Sequence, residues 1–153
     1  MKIICSSIDA LPESLPAGSR AFTFLEPSSQ SDVGRIAYGW HRELENAGYA
    51  PSVPVWDFVL FCFAIYAADV AVLRKGSADG WTRQIELKVT LNDPAPWEKS
   101  RNIAENMLRV LTGDFWTLRF CSGGPTPPNG QRRLCDRDCV ALLSGGLDSL
   151  VGG

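Results

Sequence analysis

The chain is poor in the residues that most often do chemistry. Its 153 residues include one histidine, His41, which lies beside Trp40 with no acid or base partner suggested. A general acid or base needs a partner within reach, so His41 reads as a half-exposed structural residue. The five cysteines are Cys5, Cys62, Cys121, Cys135 and Cys139, and no two form a C-x-x-C pair. Structural zinc takes four N or S ligands, and this spacing supplies no recognisable set. Cys62 and Cys139 sit in apolar runs and read as core thiols. The G-x-x-x-x-G-K-[ST] loop and the G-x-G-x-x-G fingerprint are both absent, which excludes two common phosphate-binding motifs. Net charge is −2, with no long run of Lys or Arg. Direct nucleic-acid binding is therefore not expected. After Lys2 the apolar stretch is only Ile3-Ile4-Cys5, which is no secretory leader. The longest apolar run, 58–68, has eleven residues between Asp57 and Asp69, too few to span a bilayer as a helix. Reduced thiols without a leader point to a cytoplasmic protein with no membrane partner.

What is present reads as a globular domain. Hydrophobic residues make up 45% and charged residues 21%, enough apolar content for a core within one domain. Residues 2–6 and 20–25 read as short strands, separated by the turn-forming Pro12, Pro16 and Gly18. Ser31-Asp32 suits a helix start, and Val33, Ile36, Ala37, Trp40, Leu44 and Ala47 recur at helical spacing. Residues 55–74 are apolar nearly all round and read as the central buried helix. Asp57 and Arg74 suit its two dipole ends. Asp69 lies inside this apolar helix and should either find a charged or hydrogen-bonding partner, which Arg83 or Arg109 could supply, or face a ligand.

Residues 81–89 alternate cleanly, with Trp81, Arg83, Ile85, Leu87 and Val89 on one face. A helix begins at the Asn92-Asp93-Pro94 break, with Ile103, Ala104, Met107, Leu108 and Leu111 as its apolar stripe. Residues 114–120 alternate again and can pair with 81–89. The expectation for 1–120 is an α+β domain: a mixed or antiparallel sheet with about three helices.

Glycines and prolines make 121–138 a linker. Arg132, Arg133 and Arg137 are interleaved with Asp136 and Asp138, so their field largely cancels. Then Cys139-Val-Ala-Leu-Leu, an unbroken apolar run, suits a strand buried on both faces. Ser144-Gly145-Gly146-Leu147-Asp148-Ser149 follows at once. Its glycines permit a sharp turn and close backbone approach, and Asp148-Ser149 suits a helix start. Strand, glycine turn and helix start together form an anion cradle. Chance produces such a five-residue match with odds on the order of 10⁻⁴ in a chain of this size.

Ser144-Gly-Gly-Leu-Asp-Ser149 resembles the SGGxDS pyrophosphate loop (PP-loop) of the N-type ATP pyrophosphatases, adenylating enzymes with a Rossmann-like fold. The Leu-Ser-Gly-Gly-Leu-Asp-Ser-Leu form is similar to the 7-cyano-7-deazaguanine synthases (QueC) and to their anti-phage QatC-like relatives. Trp81-Thr-Arg83 and the segment 111–120 resemble the N-terminal region of the QatC-like proteins more loosely. The resemblance implies that 139–153 open a Rossmann-like α/β PP-loop domain, here incomplete. It implies ATP and Mg²⁺ as the ligands. Backbone N–H groups of Gly145, Gly146 and Leu147, with the Ser144 and Ser149 hydroxyls, would face the pyrophosphate, and Asp148 would hold the loop or help place Mg²⁺. The cysteine zinc cluster of such enzymes falls after the loop, so no cysteine of this chain maps onto it.

The loop stands five residues before Gly153. A nucleotide fold needs roughly 30 residues for each further βαβ unit. The expectation is the front of a longer QueC-like enzyme, inactive by itself, with a protein partner bound through 1–120. The competing expectation is a non-catalytic interaction module left by truncation.

Overall fold

The computed structural model describes residues 1–129. Five strands form one sheet: β1 (Lys2–Ser6), β2 (Ser19–Phe24), β3 (Val33–Ile36), β4 (Gln84–Leu91) and β5 (Phe115–Ser122). Their order is β3-β2-β1-β4-β5, and every neighbouring pair is parallel. The expected mixed or antiparallel sheet is thus corrected to an all-parallel α/β one. The segments 81–89 and 114–120 do pair, as β4 with β5, but a helical crossover joins them. Such a crossover is what parallel neighbours require.

Four α-helices accompany the sheet: α1 (Trp40–Asn46), α2 (Val53–Ala71), α3 (Ala95–Lys99) and α4 (Arg101–Thr112). The helix expected from residue 31 is instead β3 followed by α1. Ala37 at φ 58° and Gly39 at φ 81° break the chain between them. The helix expected after Pro94 is split at Ser100 into α3 and α4. Proline at the start of α2 is tolerated because its missing N–H would have no intrahelical partner there.

One face of the sheet carries the core. Ile3, Cys5, Phe24, Ile85, Leu87, Val89, Leu91, Trp116, Leu118 and Phe120 pack there with the inner side of α2 and with Leu108 of α4. Trp40 of α1 stacks on Trp56 at 5.9 Å and meets the Phe63 ring edge-on at 5.2 Å. Trp97 of α3 meets Phe61 at 5.2 Å and Phe120 at 5.9 Å. On the opposite face Glu86 bridges Lys2 at 3.5 Å and Arg119 at 3.2 Å. The clean alternation of 81–89 reflects this: among the described residues the α-helices lie on one side of the sheet, while on the other side Glu86 and Lys88 of β4 are only half-buried.

Burial differs from expectation at several positions. Trp81 precedes β4 and is exposed, and Cys62 is exposed rather than in the core. Helix α2 is half-buried, not sealed all round, with Val55, Phe58, Tyr66 and Val70 outside. In α4 only Leu108 is fully buried, while Ile103, Met107 and Leu111 are exposed.

Candidate functional site

In open α/β sheets, ligands bind beyond the carboxyl ends of the strands, where the strand order reverses. Here the chain leaves β1 toward β2 and β3 on one side and returns to β4 and β5 on the other. The carboxyl edge is built by three local devices. Asp57, fully buried on α2, accepts hydrogen bonds from the Asn92 N–H, the Asn92 Nδ2 and the Asp93 N–H, each at 2.9 Å. This fixes the turn after β4. Trp56 Nε1 and Asn92 Nδ2 donate to the Pro125 carbonyl at 2.7 and 3.0 Å. The Gly124 N–H donates to the Leu91 carbonyl at 3.1 Å. A Cβ at Gly124 would lie 2.7 Å from the Leu91 backbone, so only glycine allows this approach. The sheet and its carboxyl-edge contacts thus extend into the segment read as a linker from residue 121.

A crevice of about 1030 Å³ opens at this edge. Ser7–Ala10 after β1, Phe24–Pro27 at the end of β2, Tyr38 to Glu45 around α1, and Gly123 to Thr126 line it. Ser7 Oγ donates to the Gly123 carbonyl at 2.6 Å, joining two of its walls. Asp9, Glu26, Glu43 and Glu45 face it alongside Arg42 and His41. The surplus of carboxylates repels a polyphosphate, so this crevice is not itself a triphosphate cradle. His41 Nδ1 lies 3.6 Å from Glu45 one turn along α1, and its ring meets Trp56 edge-on at 6.0 Å. It is half-buried, as the sequence suggested, but it does have a carboxylate neighbour.

The amino edge of the sheet holds a buried ion network. Asp114 receives Arg83 through its backbone N–H at 2.9 Å, Nε at 3.0 Å and Nη2 at 2.6 Å. Arg74 adds Nη1 at 3.0 Å and Nη2 at 3.1 Å. Arg83 also donates to the Asp69 carboxylate and, at 2.8 Å, to the Asp69 and Val72 carbonyls. Burial pushes the Asp114 carboxyl up, but the Arg83 hydrogen bonds and the charges of Arg83 and Arg74 outweigh it and hold the carboxyl below the usual range. Asp69 thus has the ion-pair partner expected of it, Arg83 rather than Arg109, although its own carboxylate stays half-exposed. A pocket of about 720 Å³ at this edge is lined by Arg20, Lys75, Asp79 and Arg83 among others. Arg83 is already fully engaged, and Arg20 donates to the Ala71 carbonyl at 3.1 Å. The network pins α2 to β4 and β5; it is a clamp rather than a reacting centre.

Among the described residues no group of three His, Cys, Asp or Glu could hold a metal ion. Ser144, Gly145, Gly146, Leu147, Asp148 and Ser149, and the apolar run 139–143, lie outside the described residues. Asp57, Asp114 and Arg74 were not singled out as anchors by sequence. The available signal for Asp114 is its place between Gly113 and a strand, where a buried side chain can reach the segment that leads into the neighbouring strand β4. No protein-family model, no curated protein and no solved structure matches this chain.

Proposed function

We propose that this chain is the amino-terminal part of an ATP-dependent adenylating enzyme, similar to the 7-cyano-7-deazaguanine synthases and nearest to their QatC-like anti-phage relatives. The observation that carries this reading is Ser144-Gly-Gly-Leu-Asp-Ser149 directly after the apolar run 139–143. In such chemistry a substrate carboxylate, such as that of a 7-deazaguanine acid, attacks the α-phosphate of ATP. The bond to the bridging oxygen breaks, pyrophosphate leaves, and an acyl-adenylate remains. An amine or ammonia then displaces AMP to give an amide. Backbone N–H groups of Gly145, Gly146 and Leu147 would stabilise the charge growing on pyrophosphate, with the Ser144 and Ser149 hydroxyls as further donors. The loop has no lysine, so Mg²⁺, when bound, would supply much of the charge neutralisation, with Asp148 placed to help hold it. The domain that precedes the loop has an acidic crevice. It serves this reading as the part that binds a partner protein.

Calorimetric titration with Mg·ATP tests the reading on the full-length protein that carries this loop. Ser144→Ala and Asp148→Asn are each expected to weaken binding at least tenfold, on the order of 1.4 kcal/mol or more. Unchanged affinity in both variants would remove the loop from the site. Residues 1–153 alone should bind ATP only weakly, because a loop without its following strands lacks most of a nucleotide fold. Submillimolar affinity for that chain would contradict this. The second reading, a non-catalytic interaction module, is favoured by the apolar outer faces of α2 and α4. It predicts no saturable ATP binding at all.

A further inference from the structure

We infer that the outer surface of α2 and α4 is a self-association face, which packs against the same face of a second copy of this chain. The inference stands apart from the adenylation reading and does not depend on it. Helix α2 turns Val55, Phe58, Tyr66 and Val70 outward, at a spacing that places them on one stripe. Tyr66 is 67% exposed and Val70 58%. Asp69, on the same helix, is held by Arg83.

Helix α4 packs on β5 and α2 on the neighbouring β4, on the same face of the sheet. Glu105 accepts the Leu118 N–H at 2.8 Å, and Glu98 accepts the Phe120 N–H at 3.1 Å. Those two N–H groups lie on the edge of β5 that pairs with no other strand among the described residues. The Glu105 side of α4 therefore faces that edge. Ile103, Met107 and Leu111 lie on the opposite flank, toward α2, and Val110 stands at the crest, 85% exposed. Phe58 stacks on Trp97 at 6.3 Å, which continues the apolar surface from α2 to α3.

Leaving aside Val53 at the start of α2, nine large apolar side chains on these helices and at Leu73 are exposed, from 46% to 85%. At roughly 100 Å² each they present on the order of 900 Å², against about 800 Å² per partner in a standard interface. A typical monomer leaves no apolar patch above about 600 Å². A surface this large built of apolar side chains selects a partner surface without unpaired charge, since burying an unpaired charge is strongly unfavourable. A second copy brings such a surface at equal concentration, and a two-fold axis makes one patch complementary to itself.

Light scattering with size exclusion, on the 153-residue chain diluted from about 100 µM, tests this. The expected mass is twice 16.7 kDa at the top of the range. Val110→Asp and Tyr66→Asp, at positions outside the core, should each shift the dissociation constant at least tenfold toward monomer with unchanged far-UV circular dichroism. Thr117→Lys, on the other face of the sheet, should leave the dimer intact. A wild-type monomer throughout, or a dimer indifferent to both aspartates, overturns the inference. So does a dimer seen only when residues 130–153 are removed, since those residues would then be the natural cover. Wild-type co-sedimentation with anionic vesicles that Val110→Asp abolishes would also overturn it, in favour of a lipid surface.

Discussion

Asp114 has no solvent contact, yet five N–H groups from Arg83 and Arg74 converge on its two oxygens. Burial alone would favour the protonated acid; the paired guanidinium groups reverse this and keep its proton affinity below normal. Asp79, in the turn before β4, is pushed down to about 2 by the Trp81 N–H and then by Thr82. Both carboxyls therefore hold protons less tightly folded than unfolded, where Asp titrates near ~3.9. As pH falls below about 4 the unfolded chain takes up protons first, and stability is lost as each folded carboxyl is protonated in turn. Above about 4 the contribution is complete. Asp114→Asn leaves Arg83, 4% exposed, without its main counter-charge, and should cost about 3 kcal/mol. It should also flatten the acid limb. Urea unfolding at neutral pH and near pH 3 measures both. A variant that keeps the wild-type pH slope would show that Asp114 is not the titrating group.

At the scale of elements, 33–47 is where the sequence reading failed, and the failure has a physical cause. Ile36, Ala37, Trp40 and Leu44 fit a helical stripe because a four-residue strand, the bend after it and a seven-residue helix all turn them toward the core. Val33, on the opposite face of β3, and the exposed Ala47 matched the spacing by coincidence. Gly34 and Gly39 were the local warnings. The ring of Phe22 lies over Gly34, and a Cβ there would come within 2.5 Å of it. Phe22 and Gly34 are register partners across β2 and β3, so no shift along the strand relieves the clash. Gly34→Val gains β-propensity of up to about 1 kcal/mol, but should still destabilise by about 2 kcal/mol because Phe22 must leave its place against the core. Phe22→Ala in the same chain should remove most of that penalty. A double variant no more stable than additivity predicts would mean the clash is absorbed elsewhere. By contrast, β1, β2 and β5, and the pairing of β4 with β5, were legible, because period-two alternation survives any choice of strand direction. Direction itself was not legible. It depends on crossovers, and alternation looks alike in an antiparallel strand and in a parallel one covered on a single side.

For the molecule as a whole, the main question is where the described domain ends. Composition placed a linker from residue 121, since Gly123, Gly124, Pro125, Pro127 and Pro128 discourage regular structure. Such residues also permit an irregular segment to lie close against a sheet, which composition cannot distinguish from a free tether. Strand β5 runs to Ser122, and the next residues close the carboxyl edge. Gly124 bonds to Leu91, Pro125 receives Trp56 and Asn92, and Gly123 accepts from Ser7. Those contacts join β1, α2, β4 and β5 in one place, and they also form one wall of the acidic crevice. The Trp56 indole N–H is part-buried, and it loses its partner if the segment is cut away. An unsatisfied buried donor costs about 1–3 kcal/mol. A chain ending at Ser122 should therefore be less stable than one ending at Asn129 by about 2–4 kcal/mol, with Trp56 fluorescence shifted to the red as water reaches the indole. Chemical denaturation of the two chains, followed by that fluorescence, decides it. Equal midpoints and equal spectra would mean that the segment 123–129 is a tether after all, and that the crevice wall contributes nothing to the fold that carries it.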